Sequence, residues 1–322
     1  MTKVVLAGNY PAHTYERLKA MLENLDCTLT KVETEEEYQK MTDAEIMVLR
    51  IFKARQDVIE RNKGLKMIIR WGAGFDSVDI EAAGKNGVVV ANTPGANAPA
   101  VSELAVMLML AVGRHLIDHM DSLRKGVWSK NTYINQSYTL NRKLVGIIGA
   151  GNIGRQTAKK AQAFGAEVQY YDPFRLSPER EQELGLRYVP LETLLKTSDV
   201  ISLHVPLTDS NRHMIGAEEI SQMKDGAILV NTARGGLVDD QALAEAVRSG
   251  KLAGAGLDVV ENEPLKEDDS LLTTPGIVVT PHVGGGTADI GDEILPMLAK
   301  EIERVINGQM PEHAVNLEYL KK

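Results

Sequence analysis

The sequence of 322 residues predicts an α/β protein with two doubly wound parallel sheets. Short clusters of β-branched residues alternate with amphipathic stretches, which is the pattern of repeated strand–helix–strand units. In the second half, every interval between predicted strands is long enough for the helical crossover that a parallel sheet requires. The length also fits two domains of about 150 residues each.

The composition excludes several classes of protein. With 43% apolar and 25% charged residues, the chain is neither disordered nor collagen-like. Its longest apolar stretch, 104–113, is half a membrane span. Cys27 is the single cysteine, so we predict neither a disulfide framework nor a metal site. The net charge of −8 argues against a nucleic-acid-binding surface, and the short apolar start lacks a signal-peptide core. We therefore expect a cytoplasmic protein.

The first third of the chain contains five apolar runs that predict strands. Between the first two, Thr14–Asn24 has apolar residues at the i, i+3, i+4 and i+7 positions of a helix. Glutamates 35–37 predict the solvent-exposed first turn of a helix that begins after Thr34. The predicted strands are Lys3–Ala7, Thr28–Val32, Ile46–Leu49, Lys66–Arg70 and Val88–Ala91.

This alternation breaks at Asn92–Gly95, where asparagine, proline and glycine predict a linker into a second domain. A long apolar helix, Val101–Val112, follows, and an amphipathic helix, Asp292–Asn307, closes the chain. The strands predicted between these helices are Leu144–Ile148, Val168–Tyr171, Val200–His204, Ala227–Val230, Gly256–Val259 and Ile277–Thr280.

A dinucleotide-binding motif follows the first strand of the second domain. Gly149 permits a tight turn, Gly151 lets the backbone approach a pyrophosphate, and Gly154 lets the next helix pack on the strand. The N–H groups at the start of that helix attract the pyrophosphate. Asp172 ends the second strand, where a carboxylate accepts from ribose hydroxyls and repels a 2′-phosphate. The alternative is an NADP site in which Arg175 binds the 2′-phosphate. Because the aspartate comes first, we predict NAD.

Three polar residues follow three successive strands of the second domain. They are Arg234, Glu263 and His282. Because the carboxyl ends of parallel strands face the ligand crevice, we expect an acid–base site beside the nicotinamide. Taken singly, each residue has a plainer interpretation as a turn arginine, a solvated carboxylate or a loop histidine.

Several motifs are distinctive enough to compare with known families. They are GAGNIG with its acidic partner, NTARGGLVDDQAL, AGAGLDVVENEP, TPHVGGGT, RWGAGFDSVDIEAA, NTPGANAPAVSELA and SLHVPL. In this order they resemble the D-isomer-specific 2-hydroxyacid dehydrogenases, over nearly the whole chain. The resemblance is closest to phosphoglycerate dehydrogenases and hydroxypyruvate or glyoxylate reductases. It implies an NAD-dependent enzyme that acts on the CH–OH group of a small 2-hydroxy acid.

The resemblance also implies an architecture. A Rossmann NAD-binding domain, 98–289, is inserted into a flavodoxin-like substrate domain of residues 1–97 plus 290–322, with the active site in the cleft. Such enzymes are usually homodimers joined through their NAD-binding domains. The stretch 104–110 is a candidate for that interface, although a buried core helix explains it equally well. Since the sequence ends at Lys322, soon after the last helix, we expect no further regulatory domain.

Roles follow from the same resemblance. Arg234 binds the substrate carboxylate, His282 is the general acid/base, and Glu263 pairs with it. A carboxylate stabilises the imidazolium, which donates a proton to the carbonyl oxygen as hydride arrives. NAD contacts are implied at Asn152, Ile153, Asp172, Val205, Thr232, Asp258, His282 and Gly285.

Substrate-binding groups are expected at the ends of the third and fourth strands. In similar enzymes the loop of Gly72, Ala73 and Gly74 offers backbone N–H groups to the carboxylate, the alternative being an ordinary turn. Arg50 and Arg70 end adjacent strands and are expected to bind a second anionic group, most simply a phosphate; surface ion pairs are the alternative. This predicts 3-phosphoglycerate and 3-phosphohydroxypyruvate as the substrate pair, with hydroxypyruvate or glyoxylate as the alternative.

Two other interpretations stay open. The fold also serves as a dinucleotide-responsive corepressor, so a non-catalytic NAD sensor is an alternative that a turnover assay would separate. Formate dehydrogenase shares the fold but pairs its histidine with glutamine, which Glu263 before Pro264 argues against. We expect a small-molecule substrate, and neither nucleic acid nor membrane as a partner.

Overall fold

A computed structural model describes residues 1–128 and 130–320 of the protein. Ser129, Lys321 and Lys322, which fall within the predicted domains, lie outside the described residues. The chain forms two compact units, Met1–Asn97 with Gly286–Lys322, and Ala98–Gly285. The chain thus re-enters the first unit at Gly286, whereas the sequence analysis placed that return at residue 290. Each unit contains one parallel sheet, and the predicted α/β class is confirmed.

The sheet of the first unit has the strand order β2-β1-β3-β4-β5. This is the flavodoxin-like order, in which the chain crosses over once and then continues outward. All five predicted strands are present, with bounds that differ by at most one residue. They are β1 Thr2–Ala7, β2 Cys27–Val32, β3 Ile46–Leu49, β4 Met67–Arg70 and β5 Val89–Ala91.

The sheet of the second unit has the order β12-β11-β10-β9-β6-β7-β8. The chain leaves β6 first in one direction and later in the other, so the switch point lies between β6 and β9, where ligands of such sheets bind. The strands are β6 Leu144–Ile148, β7 Glu167–Tyr171, β8 Arg187–Tyr188, β9 Val200–Leu203, β10 Ala227–Asn231, β11 Leu252–Leu257 and β12 Ile277–Val279.

Two differences from the predicted strands have identifiable physical causes. β8 was not predicted because it has only two residues, which pair with the edge of β7. β11 begins at Leu252 rather than Gly256, because two glycines conceal its strand pattern. A side chain on Gly256 would place its Cβ 2.7 Å from the Cβ of Leu108. Glycine is therefore needed where a long helix packs closely on this strand.

The described helices connect these strands. They are α1 Thr14–Met21, α2 Glu35–Lys40, α3 Gln56–Arg61, α4 Ile80–Lys85, α5 Ala98–Gly113, α6 Leu116–Arg124, α7 Asn152–Ala163, α8 Pro178–Leu184, α9 Leu191–Thr197, α10 Ala217–Gln222, α11 Asp240–Arg248, α12 Ser270–Thr273 and α13 Gly291–Ile306. The predicted acidic helix is α2, whose Thr34 side chain accepts from the Glu37 N–H in a capping box. α1 is three residues shorter than predicted, because the chain turns at Leu22.

The apolar helix α5 belongs to the core of the second unit. Leu108 and Met109 on α5 are fully buried beside the sheet. Among the described residues, no single helix is long and apolar enough to cross a membrane, and α5 with α6 would reach that length only as a pair bent by 62°.

Candidate active site

The turn between β6 and α7 has the geometry of a dinucleotide-binding loop. Gly149 has a φ of +98°, and a Cβ there would lie 2.7 Å from the carbonyl of His204. A Cβ on Gly154 would lie 1.9 Å from the Gly149 carbonyl oxygen. No larger residue fits at either position without moving backbone, whereas Gly151 has open space around its missing side chain. The loop is therefore closed toward the sheet and open on its outer side.

The N-terminus of α7 supplies donors to this open side. In the described part of the chain, the N–H groups of Asn152 and Ile153 have no acceptor. Arg155, which the sequence analysis did not single out, donates to the Asn152 side chain at 2.9 Å and to the Ala150 carbonyl at 3.0 Å. Its guanidinium adds positive charge beside the helix N-terminus. The site suits a pyrophosphate.

The carboxylate of Asp172 ties the glycine turn to the end of β7. It accepts from the N–H of Ala150 at 2.7 Å and of Phe174 at 2.8 Å. A carboxylate has four lone-pair positions, so two remain for ribose hydroxyls. On the neighbouring strand ends, the Thr232 hydroxyl and His204 Nδ1 are buried and have no partner among the described residues. Burial lowers the pKa of His204 to about 3, so its imidazole is neutral. These residues fit NAD.

The predicted acid–base pair is formed within the second unit. His282 Nδ1 lies 2.9 Å from Oε2 of Glu263, and both side chains are about half-exposed. This contact leaves Nε2 of the imidazole for a substrate. His282 adopts a left-handed backbone conformation with φ +53°, which is rare for a non-glycine residue. Its N–H donates to the carbonyls of Asp258 and Thr280, both at 2.9 Å, and these bonds hold the strained residue.

Asp258, expected as an NAD contact, also organises the histidine loop. It is 2% exposed and follows β11. One carboxylate oxygen accepts from the Thr280 hydroxyl at 2.6 Å and the Val283 N–H at 2.8 Å. The other accepts from the Gly284 N–H at 2.8 Å, just before Gly285. A buried carboxylate with three donors is a firm anchor, so it positions the loop that carries His282.

The loop of Arg234 packs directly on the segment that leads to Glu263. The side chain of Asn231 closes this loop by donating to the Arg234 carbonyl at 2.7 Å. A Cβ on Gly235 would lie 1.9 Å from the carbonyl oxygen of Val260. The backbones of the two loops therefore touch, and the tertiary structure brings together Gly235 and Val260, which are 25 positions apart in the sequence.

A network of charged residues, not predicted from the sequence, anchors this segment. Asp240 accepts from the Glu261 N–H at 2.8 Å. The Glu261 carboxylate binds the Arg212 guanidinium and lies 3.0 Å from His213 Nε2. Burial, with Glu261, Asp269 and Asp239 nearby, raises the pKa of Asp240 to about 6. The only signal in the sequence was that these residues lie near the motifs, because Glu261 is 49 residues from Arg212, 48 from His213 and 21 from Asp240.

In the first unit, the loop after β4 directs two backbone N–H groups outward. Gly72 donates its N–H to the Thr93 hydroxyl at 2.8 Å and accepts from the Thr93 N–H at 3.1 Å. The Ala73 carbonyl accepts from the Asn92 side chain at 2.7 Å. The N–H groups of Ala73 and Gly74 have no acceptor among the described residues. Consecutive free N–H groups are suited to binding an anion, and that role stays a prediction for this loop.

The two arginines expected to bind a phosphate lie at the same edge of that sheet, since Leu49 on β3 pairs with Arg70 on β4. Arg70 donates to three backbone carbonyls, those of Gly74 at 3.1 Å, Leu49 at 3.0 Å and Arg50 at 2.7 Å. Its guanidinium therefore holds the loop after β4 in shape. Arg50 has one backbone contact, to the Asn9 carbonyl.

The glycine turn, the acidic strand end and the histidine–glutamate pair define an NAD-dependent oxidoreductase. The family described as "D-isomer specific 2-hydroxyacid dehydrogenase, NAD binding domain" matches residues 106–284. The chain belongs to the D-isomer-specific 2-hydroxyacid dehydrogenase family, as the motifs predicted, and it is an enzyme acting on the CH–OH group of donors.

Individual relatives differ in their substrates. A hydroxypyruvate reductase from Thermotoga maritima is 45% identical over 87% of this chain and 92% of its own length. A D-3-phosphoglycerate dehydrogenase from Methanocaldococcus jannaschii is 41% identical over 89% of this chain, which spans about half of that longer protein (55%). The crystal structure of a glyoxylate reductase from Paecilomyes thermophila has a TM-score of 0.86, with 32% identity over 98% of this chain and 99% of that one.

Proposed function

We propose that the enzyme reduces a small, unphosphorylated 2-keto acid of the hydroxypyruvate and glyoxylate class with NADH. The contacts of Arg70 carry this proposal, because a guanidinium engaged by three backbone carbonyls is a structural group rather than a phosphate ligand. Because of these contacts, we favour an unphosphorylated substrate over the phosphorylated one that the sequence predicted. The 45% identity to a hydroxypyruvate reductase supports the same choice.

In this proposal, the residues of the chain bind the substrate and move one proton. Arg234 presents planar, bidentate donors suited to the substrate carboxylate. His282, with Nδ1 directed at Glu263, donates the proton on Nε2 to the carbonyl oxygen. The carboxylate of Glu263 stabilises the charged imidazole and fixes its orientation. When bound, NADH supplies the hydride that reduces the carbonyl carbon.

A second candidate substrate is 3-phosphohydroxypyruvate. Arg50 favours it, because this guanidinium stands at the edge of the sheet with one backbone contact and has donors left for a phosphate. The 41% identity to a D-3-phosphoglycerate dehydrogenase also supports this candidate.

A substrate panel with NADH tests the proposal. Steady-state kcat/KM is measured for hydroxypyruvate, glyoxylate, 3-phosphohydroxypyruvate and pyruvate, in the wild-type protein and in Arg50→Ala. We expect hydroxypyruvate or glyoxylate to have the highest value, with little change in the variant. A higher value for 3-phosphohydroxypyruvate that the variant abolishes would overturn the choice in favour of the second candidate.

We further propose a homodimer formed through the second unit. Met107, Leu116 and Phe164 on or beside α5, α6 and α7 are each about half-exposed, and further apolar residues of α6 continue this surface. Contiguous exposed apolar surface is typical of a subunit interface. Light scattering coupled to size exclusion tests it, with Met107→Glu expected to produce monomer.

The cytoplasmic location expected from the composition stays a prediction.

A further inference from the structure

Arg175 follows Asp172 by three residues, and no basic residue lies closer to that aspartate in the sequence. Where a dinucleotide site accepts NADP, an arginine near this position binds the ribose 2′-phosphate. Three residues of chain span at most about 11 Å. The Phe174 N–H also donates to Asp172 at 2.8 Å, which folds this segment back toward the carboxylate. Arg175 thus starts within side-chain reach of the ribose position.

The guanidinium of Arg175 is nevertheless directed elsewhere. Its Nε and Nη2 donate to the two carboxylate oxygens of Glu181 at 2.8 and 3.0 Å. The guanidinium carbon also lies 4.8 Å from the centre of the Tyr188 ring. A bidentate pair stacked on an aromatic ring has a fixed geometry, unlike most surface ion pairs.

Glu181 is itself held in place from the side of the sheet. The hydroxyl of Tyr170, a fully buried residue of β7, donates to Glu181 at 2.7 Å and accepts from the Leu176 N–H at 2.9 Å. The side chain of Glu181 is only 13% exposed. Arg175 and Tyr170 lower the pKa of Glu181 to about 2, so the carboxylate is ionised at every working pH. The acceptor for Arg175 is therefore permanently charged and positioned.

We propose that Glu181 is a second determinant of cofactor choice, because it withholds from the nucleotide site the guanidinium that would bind a 2′-phosphate. Asp172 repels the 2′-phosphate directly, and Glu181 keeps the guanidinium of Arg175 from pairing with that phosphate. The two carboxylates then act on the same group of NADPH by different means. Removing Asp172 alone leaves Arg175 engaged, so efficient use of NADPH requires both changes.

A double-mutant cycle tests this coupling. The dissociation constants of NADPH and NADH are measured by nicotinamide fluorescence, without substrate, for the wild type, Asp172→Ser, Glu181→Gln and the double variant. Glu181→Gln alone is expected to change NADPH binding less than threefold, since Asp172 still repels the phosphate. In the double variant, NADPH is expected to bind roughly tenfold more tightly than the two single effects combined predict, because a charge-assisted hydrogen bond forms.

Two controls make the result specific. Glu183→Gln removes the same charge from the same helix, but Glu183 pairs with Arg180, so it should produce no gain. Adding Arg175→Ala to the double variant should abolish the gain. The amide of Glu181→Gln can still accept from Tyr170. If the melting temperature of this variant falls, Glu181→Met, which has a similar length and no charge, replaces it.

Additive effects in the cycle, or a gain that survives Arg175→Ala, would overturn the proposal. NADH binding and keto-acid turnover in Glu181→Gln are read separately and should stay at wild-type values. A failure of the proposed substrate assignment would therefore leave this result unaffected.

Discussion

The two sheets of this enzyme present the groups proposed to bind ligands in different ways. In the second unit these groups are charged side chains, and buried carboxylates such as Asp258 hold the loops that carry them. In the first unit they are the backbone N–H groups of Ala73 and Gly74, while the side chains of Arg70 and Thr93 hold the loop. Substitutions in the second unit should therefore change chemistry, and those in the first should change binding.

The largest expected effect comes from the proton donor of the second unit. His282→Gln should lower kcat by roughly 10²–10⁴-fold, because no other group in this proposal donates to the carbonyl oxygen. NADH affinity, measured by fluorescence titration, should stay near the wild-type value. A kcat within tenfold of wild type would show that side-chain chemistry at this position is dispensable.

The next largest effect is expected from Arg70, whose guanidinium holds the loop after β4. Arg70→Ala should raise KM for hydroxypyruvate and for 3-phosphohydroxypyruvate by the same factor, roughly 10–100-fold, because it removes charge-assisted bonds to three carbonyls. Kinetics with both substrates measure this ratio. A selective loss of the phosphorylated substrate would instead identify Arg70 as a phosphate ligand, and Arg61→Ala serves as a control arginine in the same unit.

A smaller effect is expected from the hydroxyl that accepts from this loop. Thr93→Val keeps the shape of the side chain but removes one of the two acceptors for the Gly72 N–H, the other being the Arg70 carbonyl at 3.0 Å. The loss of one neutral hydrogen bond, about 1 kcal/mol, corresponds to roughly a fivefold rise in KM, with kcat little changed. Thr93→Ser should restore binding. An unchanged KM in Thr93→Val would mean that the backbone holds the loop by itself.

The smallest expected effect is on the free energy of unfolding, which should depend on pH through Asp240 of the second unit. Because the folded protein raises the pKa of Asp240 to about 6, ionisation of this carboxyl destabilises the fold above that pH and has no such effect below about pH 4. Asp240→Asn should therefore stabilise the protein at pH 8 by about 1 kcal/mol, since solvent screens part of the effect. Urea unfolding should show the difference fading between pH 6 and 4.

An equal stabilisation at pH 8 and pH 4 would contradict this assignment to Asp240. The backbone N–H groups of Ala73 and Gly74 do not titrate, so Thr93→Val should have the same effect on KM throughout this range. The contrast between a charge network and a backbone site is thereby tested within one protein.

Much of the fold was predictable because its signals are local. The apolar runs located the strands, and the family's NAD-binding character followed from the spacing of Gly149, Gly151 and Gly154 before an acidic strand end. Two-residue β8 was missed because so short a strand has no pattern of its own. β11 was misplaced because its glycines reflect the packing of α5, which is not a local property.

The contact between His282 and Glu263 was predictable for a related reason, since the ends of parallel strands lie at one edge of a sheet. The sequence by itself determined the two sheets, the NAD fingerprint and the identity of the histidine, glutamate and arginine. Only the tertiary structure decided what those groups, and the other charges, contact. Arg70 binds carbonyls, Arg175 binds Glu181, and Asp240 anchors Glu261, because each bond depends on distances set by folding. Strand patterns depend on neighbouring residues in the chain, whereas the partner of a guanidinium depends on neighbours in space.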